Sequence, residues 1–431
     1  MSAPPAESRE ARRSPLEVLG PGLVTGASDD DPSGIATYAQ AGALFGFGLT
    51  WTLLLTYPLM SAVQAISARI GRTTGLGIAA NLKRRYPAPL VHGIVFLVIT
   101  ANVINLGADL GAMAEATSLL GLTLPRWAAI AFYAAVCLGA QIIFSYARYV
   151  AVLKWLTLSL LFYFAALGAV AVDWGALARS LVLPHIELSR SFWTMVVGVL
   201  GTTISPYLFF WQAILEVEQT REDPKLEPLR RAPWEGEGAL GRIKIDTLVG
   251  MALSNLVALA IMVTTAATLN AGGVTKIDTA AQAAEALRPI AGQFAFVVFA
   301  VGIIGTGFLS VPVLASSAAY ALGETRAWPV GVSKKIVQAK GFYATIAAAT
   351  VAGALVNVLP VGPMQALVWS AVLNGIVAVP VMVMLMALAT SSRVMGRFRI
   401  STGLTVGGWA ATVVMGAASI GLLLSTLGLL F

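Results

Sequence analysis

Three carboxylates in succession, Asp29, Asp30 and Asp31, interrupt the otherwise uncharged stretch GLVTGASDDDPSGIATYAQAGALFGFG and are followed at once by Pro32, Ser33 and Gly34. Such oxygens are ligands for hard cations and carriers of protons. A second polar group, Gly201, Thr202, Thr203, Ser205 and Pro206, stands within VVGVLGTTISPYLFFWQAILEVE and offers hydroxyls and carbonyls. A third, Asn102, Asn105 and Asp109, has the spacing i, i+3, i+7, which places the three side chains within about 60° on one helical face. Thiolate or imidazole metal chemistry lacks its ligands: there is one cysteine, Cys137, and the two histidines, His92 and His185, lie far apart. No His-Glu-x-x-His, Ser/His pairing or Gly-rich phosphate loop is present, so neither an enzyme nor a resident cofactor is expected.

The elements that position these groups follow from composition. Of 431 residues, 57% are hydrophobic and 11% charged, against roughly 45–50% and about 25% in soluble domains. Too few charges are available to cover a surface facing water, whereas lipid demands an apolar exterior. The apolar residues come in continuous blocks and not in alternating segments of about ten, which excludes an outer-membrane barrel. The chain therefore reads as an all-α integral membrane protein. The N-terminus, MSAPPAESREARRSPLEV, lacks an apolar core with a cleavage site and reads as a cytosolic tail, 1–16.

A crossing takes about 20 helical residues, and that ruler gives eleven spans. They run over 17–43, 47–69, 90–118, 126–146, 150–172, 191–217, 244–269, 290–321, 341–360, 363–389 and 404–430. With the N-terminus cytosolic and the C-terminus outside, 23 of the 28 basic residues fall in cytosolic segments, as the positive-inside rule requires. Only Arg126, Arg179, Arg190, Lys276 and Arg288 lie outside. The net charge of +7 thus records sidedness, and a nucleic-acid partner is not expected. The longest polar stretch, 218–243, reads as a solvated cytosolic loop. A short amphipathic helix is expected near TAAQAAEALR, within the outside segment 271–289.

Carboxylates inside a membrane are costly and mark function. Few of the 21 acidic residues fall well within spans: Asp29, Asp30 and Asp31 in span 1, and Asp109 and Glu115 in span 3, the last near its outer end. The helix breakers coincide with the first three. Pro32 removes a backbone donor in span 1, and Pro206 does so in span 6, although a proline by itself is often only a kink. Two breaks five spans apart match two five-helix inverted repeats whose half-helices build an ion site. The repeats cover about 17–172 and 191–389, a ten-helix core over 17–389, with 390–431 holding an additional helix.

These residues resemble a known family. The stretch GPGLVTGASDDDPSGIATYAQAGALFGFGLTW, the ending QAISARIG of span 2, AVLKW before span 5, GTTISP in span 6 and KGFYATIAA opening span 9 are similar to the NRAMP family of divalent-metal transporters. The resemblance implies the LeuT-type fold and alternating access about spans 1 and 6. The family's usual Asp-Pro-Gly-Asn is here Asp31-Pro32-Ser33-Gly34, so the ligating aspartate is kept and the ligating asparagine is Gly34. Its Met-Pro-His is here Ser205-Pro206-Tyr207, so the thioether is lost, and the family's carbonyl ligand maps to Thr202.

The ligand set implied is Asp31, with Gly34 and Thr202 through their carbonyls, Ser205 and Thr203 through hydroxyls, and Asp30, with Asp29, adding negative potential. Thioether sulfur favours softer transition metals, and an all-oxygen, widened site suits Mg²⁺ that keeps several waters. The pattern is closest to the NRAMP-related magnesium transporter branch, with Mn²⁺ also passing. The span 3 acidic partner of Asp109 is Ala112, and the histidine after Pro206 is Tyr207, which points away from proton coupling. Asp109, Asn105 and Asn374 remain candidates either for carrying a proton or for lining the cavity. The alternatives are a proton-coupled Mn²⁺/Fe²⁺ importer and, from another class, a membrane receptor or intramembrane enzyme. The partners expected are divalent cations and the lipid bilayer, in a bacterial inner membrane.

Overall fold

The computed structural model describes residues 20–143 and 161–429. The tail 1–16, the boundary expected between spans 4 and 5, and the AVLKW segment lie outside the described residues. Every regular element among those described is helical. Span 1 is two helices, α1 (Pro21–Asp29) and α2 (Pro32–Phe45), meeting at Asp30 and Asp31. A 3₁₀ turn, Gly46–Leu49, leads into α3 (Thr50–Thr74). There follow α4 (Ile78–Arg85), α5 (Ala88–Leu119), α6 (Arg126–Ile143), α7 (Leu161–Ala169) and α8 (Trp174–Val182).

Span 6 is likewise two helices, α9 (Arg190–Thr203) and α10 (Pro206–Glu222). The remainder comprises α11 (Gly236–Thr265), α12 (Ala295–Arg326), α13 (Lys340–Val356), α14 (Pro363–Ala389) and α15 (Thr402–Thr426). Eight described stretches are long and apolar enough to cross a membrane. The helix over Lys340–Val356 is shorter, at 17 residues.

Both prolines open a second half-helix; neither sits inside a continuous one. Pro32 follows the N-cap Asp31, and Pro206 follows the N-cap Ser205. At that first position the missing N–H is one the helix would leave unpaired anyway. Each break is also held at a close crossing of small residues. A Cβ on Gly26 of α1 would fall on the Gly250 carbonyl of α11, and one on Gly201 of α9 would fall on the Ala371 carbonyl of α14. Only glycine lets these backbones approach so nearly.

The free end of α1 is anchored by one side chain. Asp246 of α11 accepts hydrogen bonds from Gly20 N at 2.9 Å, Gly22 N at 2.6 Å and Leu23 N at 3.1 Å. A helix N-terminus leaves such N–H groups without intrahelical partners and favours a negative charge beside them. Glu324 at the end of α12 does the same for α4, taking Gly77 N at 2.8 Å and Ala80 N at 3.0 Å. Thr25 of α1 donates to Gln212 of α10, which ties the first half of span 1 to the second half of span 6.

The expected loop 218–243 is shorter in the structure. Helix α10 continues to Glu222, and a 3₁₀ turn at Pro233–Glu235 leads directly into α11 at Gly236. Some of its charges are ion-paired, while Lys225, Arg231 and Glu237 are exposed. Arg242 meets Glu216 at 2.5 Å, Arg221 meets Glu218 at 3.0 Å, and Arg72 meets Glu235. Between α11 and α12 the short helix Ala280–Ala284 forms where TAAQAAEALR predicts one, opened by a Thr279/Gln282 capping box. Glu115, off the Asn102 stripe, accepts from Ala280 N at 2.8 Å and so fastens that helix to α5.

Asp246→Ala strands the N–H groups at the start of α1, at a cost of about 1–3 kcal/mol for each one left buried and unpaired. The purified variant should melt at least about 4 °C below the parent protein. An unchanged melting curve would show that α1 is held by its glycine crossing alone.

Candidate cation site at two helix breaks

Asp31 sits at the junction of α1 and α2, 2% exposed. Its backbone is extended, φ −76° and ψ 168°, which frees the side chain to cap α2. One carboxylate oxygen, Oδ1, accepts from Gly34 N at 2.7 Å. The other, Oδ2, accepts from Asn105 Nδ2 at 2.9 Å, with the Tyr207 hydroxyl at 3.5 Å. All three partners are neutral. A carboxylate offers about four lone-pair sites, so Asp31 keeps acceptor capacity toward the break.

The second break closes around the first. Tyr207, the second residue of α10, donates to the Ser28 carbonyl at 3.1 Å, and so joins the end of α1 to the start of α10. The Thr202 side chain is turned toward Gly34: a Cβ built on Gly34 would stand 2.9 Å from Thr202 Oγ1 and 3.4 Å from Asp31 Oδ1. The C-terminal ends of α1 and α9, where carbonyls lose their helical partners, thus adjoin the N-terminal ends of α2 and α10. Half-helices arranged in this way present carbonyl oxygens to a cation.

The two expected hydroxyl ligands, Thr203 and Ser205, donate their protons to their own helix and keep their oxygen lone pairs. Thr203 Oγ1 donates to the Val199 carbonyl of its own helix at 2.9 Å. Ser205 Oγ donates to Gly201 O at 2.7 Å and to Thr202 O at 2.9 Å. Both act locally on the frayed end of α9, where unsatisfied carbonyls compete for any nearby donor. The Thr202 carbonyl still has a second lone pair free of Ser205.

Nor do the three aspartates converge. Ser254 of α11 donates to Asp29 Oδ2 at 2.6 Å and lies 3.1 Å from Asp30 Oδ1. Asp29 and Asp30 therefore face α11, while Asp31 faces α5. No cluster of three or more His, Cys, Asp or Glu side chains at metal-holding distance occurs among the described residues. Asp31 thus stands apart from Asp29 and Asp30, which share Ser254.

The stripe on α5 divides by function along its length. Asn105 bridges the site to α14, donating to Asp31 and accepting from Ser370 Oγ at 2.8 Å. Asn102 donates to the Leu314 carbonyl at 3.1 Å and Asp109 accepts from Ser310 Oγ at 2.7 Å, so both meet α12, and Asp109 also lies beside the Ser33 backbone at the first break. Asn374 is 1% exposed, and neither its Oδ1 nor its Nδ2 has a hydrogen-bond partner. It neighbours Gly375, which presses on Gly201 at the second break.

Sequence reading missed Ser254, Ser310 and Ser370. Each is a serine in an apolar helix, and no spacing distinguishes these three from serines that bond only their own backbone.

The chain matches the family model described as natural resistance-associated macrophage protein-like over residues 22–425. The divalent metal cation transporter MntH of Yersinia enterocolitica is 28% identical over 311 residues, covering 71% of this chain and 72% of that protein. MntH of Aeromonas hydrophila is 28% identical over 309 residues, covering 70% and 72%. Among solved structures, a variant of the Eremococcus coleocola manganese transporter superposes with TM-score 0.74 at 17% identity, over 100% of this chain and 96% of that one. The transporter Mhp1, facing inward, superposes with TM-score 0.54 at 14% identity, over 97% and 91%. These two likenesses establish the fold.

Asn105→Leu keeps the volume and removes both hydrogen bonds. Divalent-cation binding, followed by calorimetric titration with Mn²⁺ and Mg²⁺, should weaken about tenfold or more, while gel filtration stays monodisperse. Unchanged titrations would separate Asn105 from the site.

Proposed function

The chain belongs to the NRAMP family, and from that membership we propose that it moves divalent metal cations across the membrane, with hydrated Mg²⁺ as the main cargo and Mn²⁺ also accepted. The carrying observation is the buried Asp31 carboxylate, whose hydrogen-bond partners, Gly34 N, Asn105 and Tyr207, all leave its charge unneutralised. An ionised acid at that depth is expensive unless a cation meets it. Magnesium takes oxygen ligands and retains several waters. Around this break every polar atom is oxygen or nitrogen, and Ser205 stands where the family has its sulfur. Asp31 supplies the negative charge, the carbonyls near Thr202 and Gly34 complete the shell, and access alternates about spans 1 and 6.

We propose further that transport proceeds without a coupled proton. Asp109 has no acidic neighbour three residues on, because Ala112 stands there. Tyr207 uses its hydroxyl to tie α10 to Ser28. Mg²⁺ uptake into proteoliposomes at controlled membrane potential should leave a trapped pH dye unchanged. A metal-dependent acidification would refute the uncoupled reading.

A second reading, a proton-coupled importer of Mn²⁺ and Fe²⁺, draws support from relatives described as manganese or divalent metal cation transporters and from the retained Asp109. Competition decides between the two. Excess Mg²⁺ should suppress Mn²⁺ uptake strongly if Mg²⁺ is the main cargo and scarcely at all if the site selects transition metals. In either case Asp31→Ala should reduce uptake to the level of empty vesicles while gel filtration and helical circular dichroism stay as in the parent. Near-normal uptake by that variant would remove Asp31 as the ligand.

A further inference from the structure

An apolar groove of about 660 Å³ runs along the lipid-facing side of the bundle, lined by residues of α5, α9, α14 and α15. Leu97, Trp369, Ile376 and Leu423 are exposed in its walls. The groove follows from the sequence of α15. Gly408 and Gly421 of that helix lie against Met386 and Trp193 with no room for a side chain, whereas a Cβ on Gly416 would meet only Val379 Cγ1, at 3.9 Å. Small residues usually let membrane helices close on one another. At Gly416 and Ser419, one turn apart, the helices stay open instead, and the opening continues to Thr426, about 15 Å along the helix at 1.5 Å per residue.

Several polar groups of this region are without partners. Arg190, the first residue of α9, lines the groove, and among the described residues its guanidinium has no hydrogen bond or ion pair. It lies at the end where α15 finishes, since Trp193, three residues on, packs against Gly421. The N–H groups that open α9 add partial positive charge there. Further in, Ser419 Oγ is buried with no partner, although Thr412, Ser425 and Thr426 of the same helix each donate to a carbonyl three or four residues back. The Nε1 of Trp193 is likewise buried and unpartnered. A cation at the exposed end, unpaired donors next to it and a hydrocarbon wall below match the order of groups in a phospholipid: phosphate, ester, acyl chain.

We propose that this groove is a phospholipid site, in which one acyl chain of an anionic phospholipid lies along α14 and α15 and its phosphate is held by Arg190 and the start of α9. Charge selects the headgroup: the mouth presents a guanidinium and a helix N-terminus, and among the described residues no acidic side chain lines the groove. Basic pockets between transmembrane helices take lipid headgroups in this way. A chain seated here packs on Val372 and Ile376 of α14, which flank the Gly375 that presses on Gly201 at the second break. It thus braces, from the lipid side, a helix that backs the cation site. The lipid site stands whichever cation the protein carries.

Trp369, in the groove wall, reports occupancy directly. The purified protein is placed in nanodiscs containing increasing fractions of phospholipid brominated on its acyl chains, either phosphatidylglycerol or phosphatidylcholine, and the Trp369 signal is the difference in quenching between the parent and Trp369→Phe. Phosphatidylglycerol should reach half-maximal quenching of Trp369 at about fivefold lower mole fraction than phosphatidylcholine, and Arg190→Gln should erase that preference. Gly416→Leu, for which the nearest neighbour leaves room, fills the groove and should lower Trp369 quenching by both lipids. Equal quenching by the two lipids in the parent, unaltered in both variants, would reduce the groove to ordinary bilayer contact and overturn the proposal. A Trp369 shielded from both lipids would overturn it too, a dimer on gel filtration then assigning the groove to a second copy of the chain.

Discussion

A helix cannot stop inside a hydrocarbon layer without finding new partners for its backbone, and here a single carboxylate meets much of that demand. Asp31 follows the end of the first half of span 1, caps the second half through Gly34 N and turns its other oxygen to Asn105 of α5. Its capping bond uses part of Oδ1, and the amide of Asn105 orients Oδ2. The residue is consequently fixed in direction yet retains lone pairs and charge. A carboxylate paired with arginine would have been neutralised, and one without donors would have had no defined orientation.

The surrounding bundle serves to keep the two breaks opposed. Asp246 holds the start of α1 against α11, and Gly26 against Gly250 lets those helices touch along their backbones. Gly201 against Ala371 and Gly375 fixes α9 on α14 in the same manner. Thr25 to Gln212 and Tyr207 to Ser28 then join α1 to α10 across the gap. Direct ties of this kind, outside any cargo, are what a transporter needs if its two halves are to hold a defined arrangement when empty, since helix association in lipid lacks a hydrophobic drive and depends on close packing and polar contacts.

Polar residues near the site fall into those that serve the backbone and those that face the gap, and residue type does not distinguish them. Thr202 and Thr203 are adjacent and chemically identical. Thr203 bonds its own helix, whereas Thr202 faces Gly34. Likewise Asp29, Asp30 and Asp31 are consecutive, but at 100° per residue and across a helix end they diverge, the first two to Ser254 and the third to Asn105. Three carboxylates in a row therefore do not make a three-carboxylate site.

Much of the architecture was legible in the sequence, because the governing quantities are local. Apolar run length sets where a helix can cross, Pro32 and Pro206 mark where a helix must restart, and the i, i+3, i+7 spacing put Asn102, Asn105 and Asp109 on one face. The same locality made Asp31 the principal candidate, as a carboxylate beside a breaker in an apolar span has few structural uses. Only the tertiary structure decided which neighbour each polar group meets: that Asn105 reaches Asp31 while Asn102 and Asp109 meet α12, that Ser205 and Thr203 donate to α9, and that serines on α11, α12 and α14 complete the network. The ion pairs that tie the charged loop down were hidden for the same reason, since they reach residues outside it, as Glu235 does to Arg72 and Arg242 to Glu216. Periodicity fixes the face on which a side chain lies, but the partner opposite that face is set by helix crossings, and those depend on the close approach of glycines far apart along the chain.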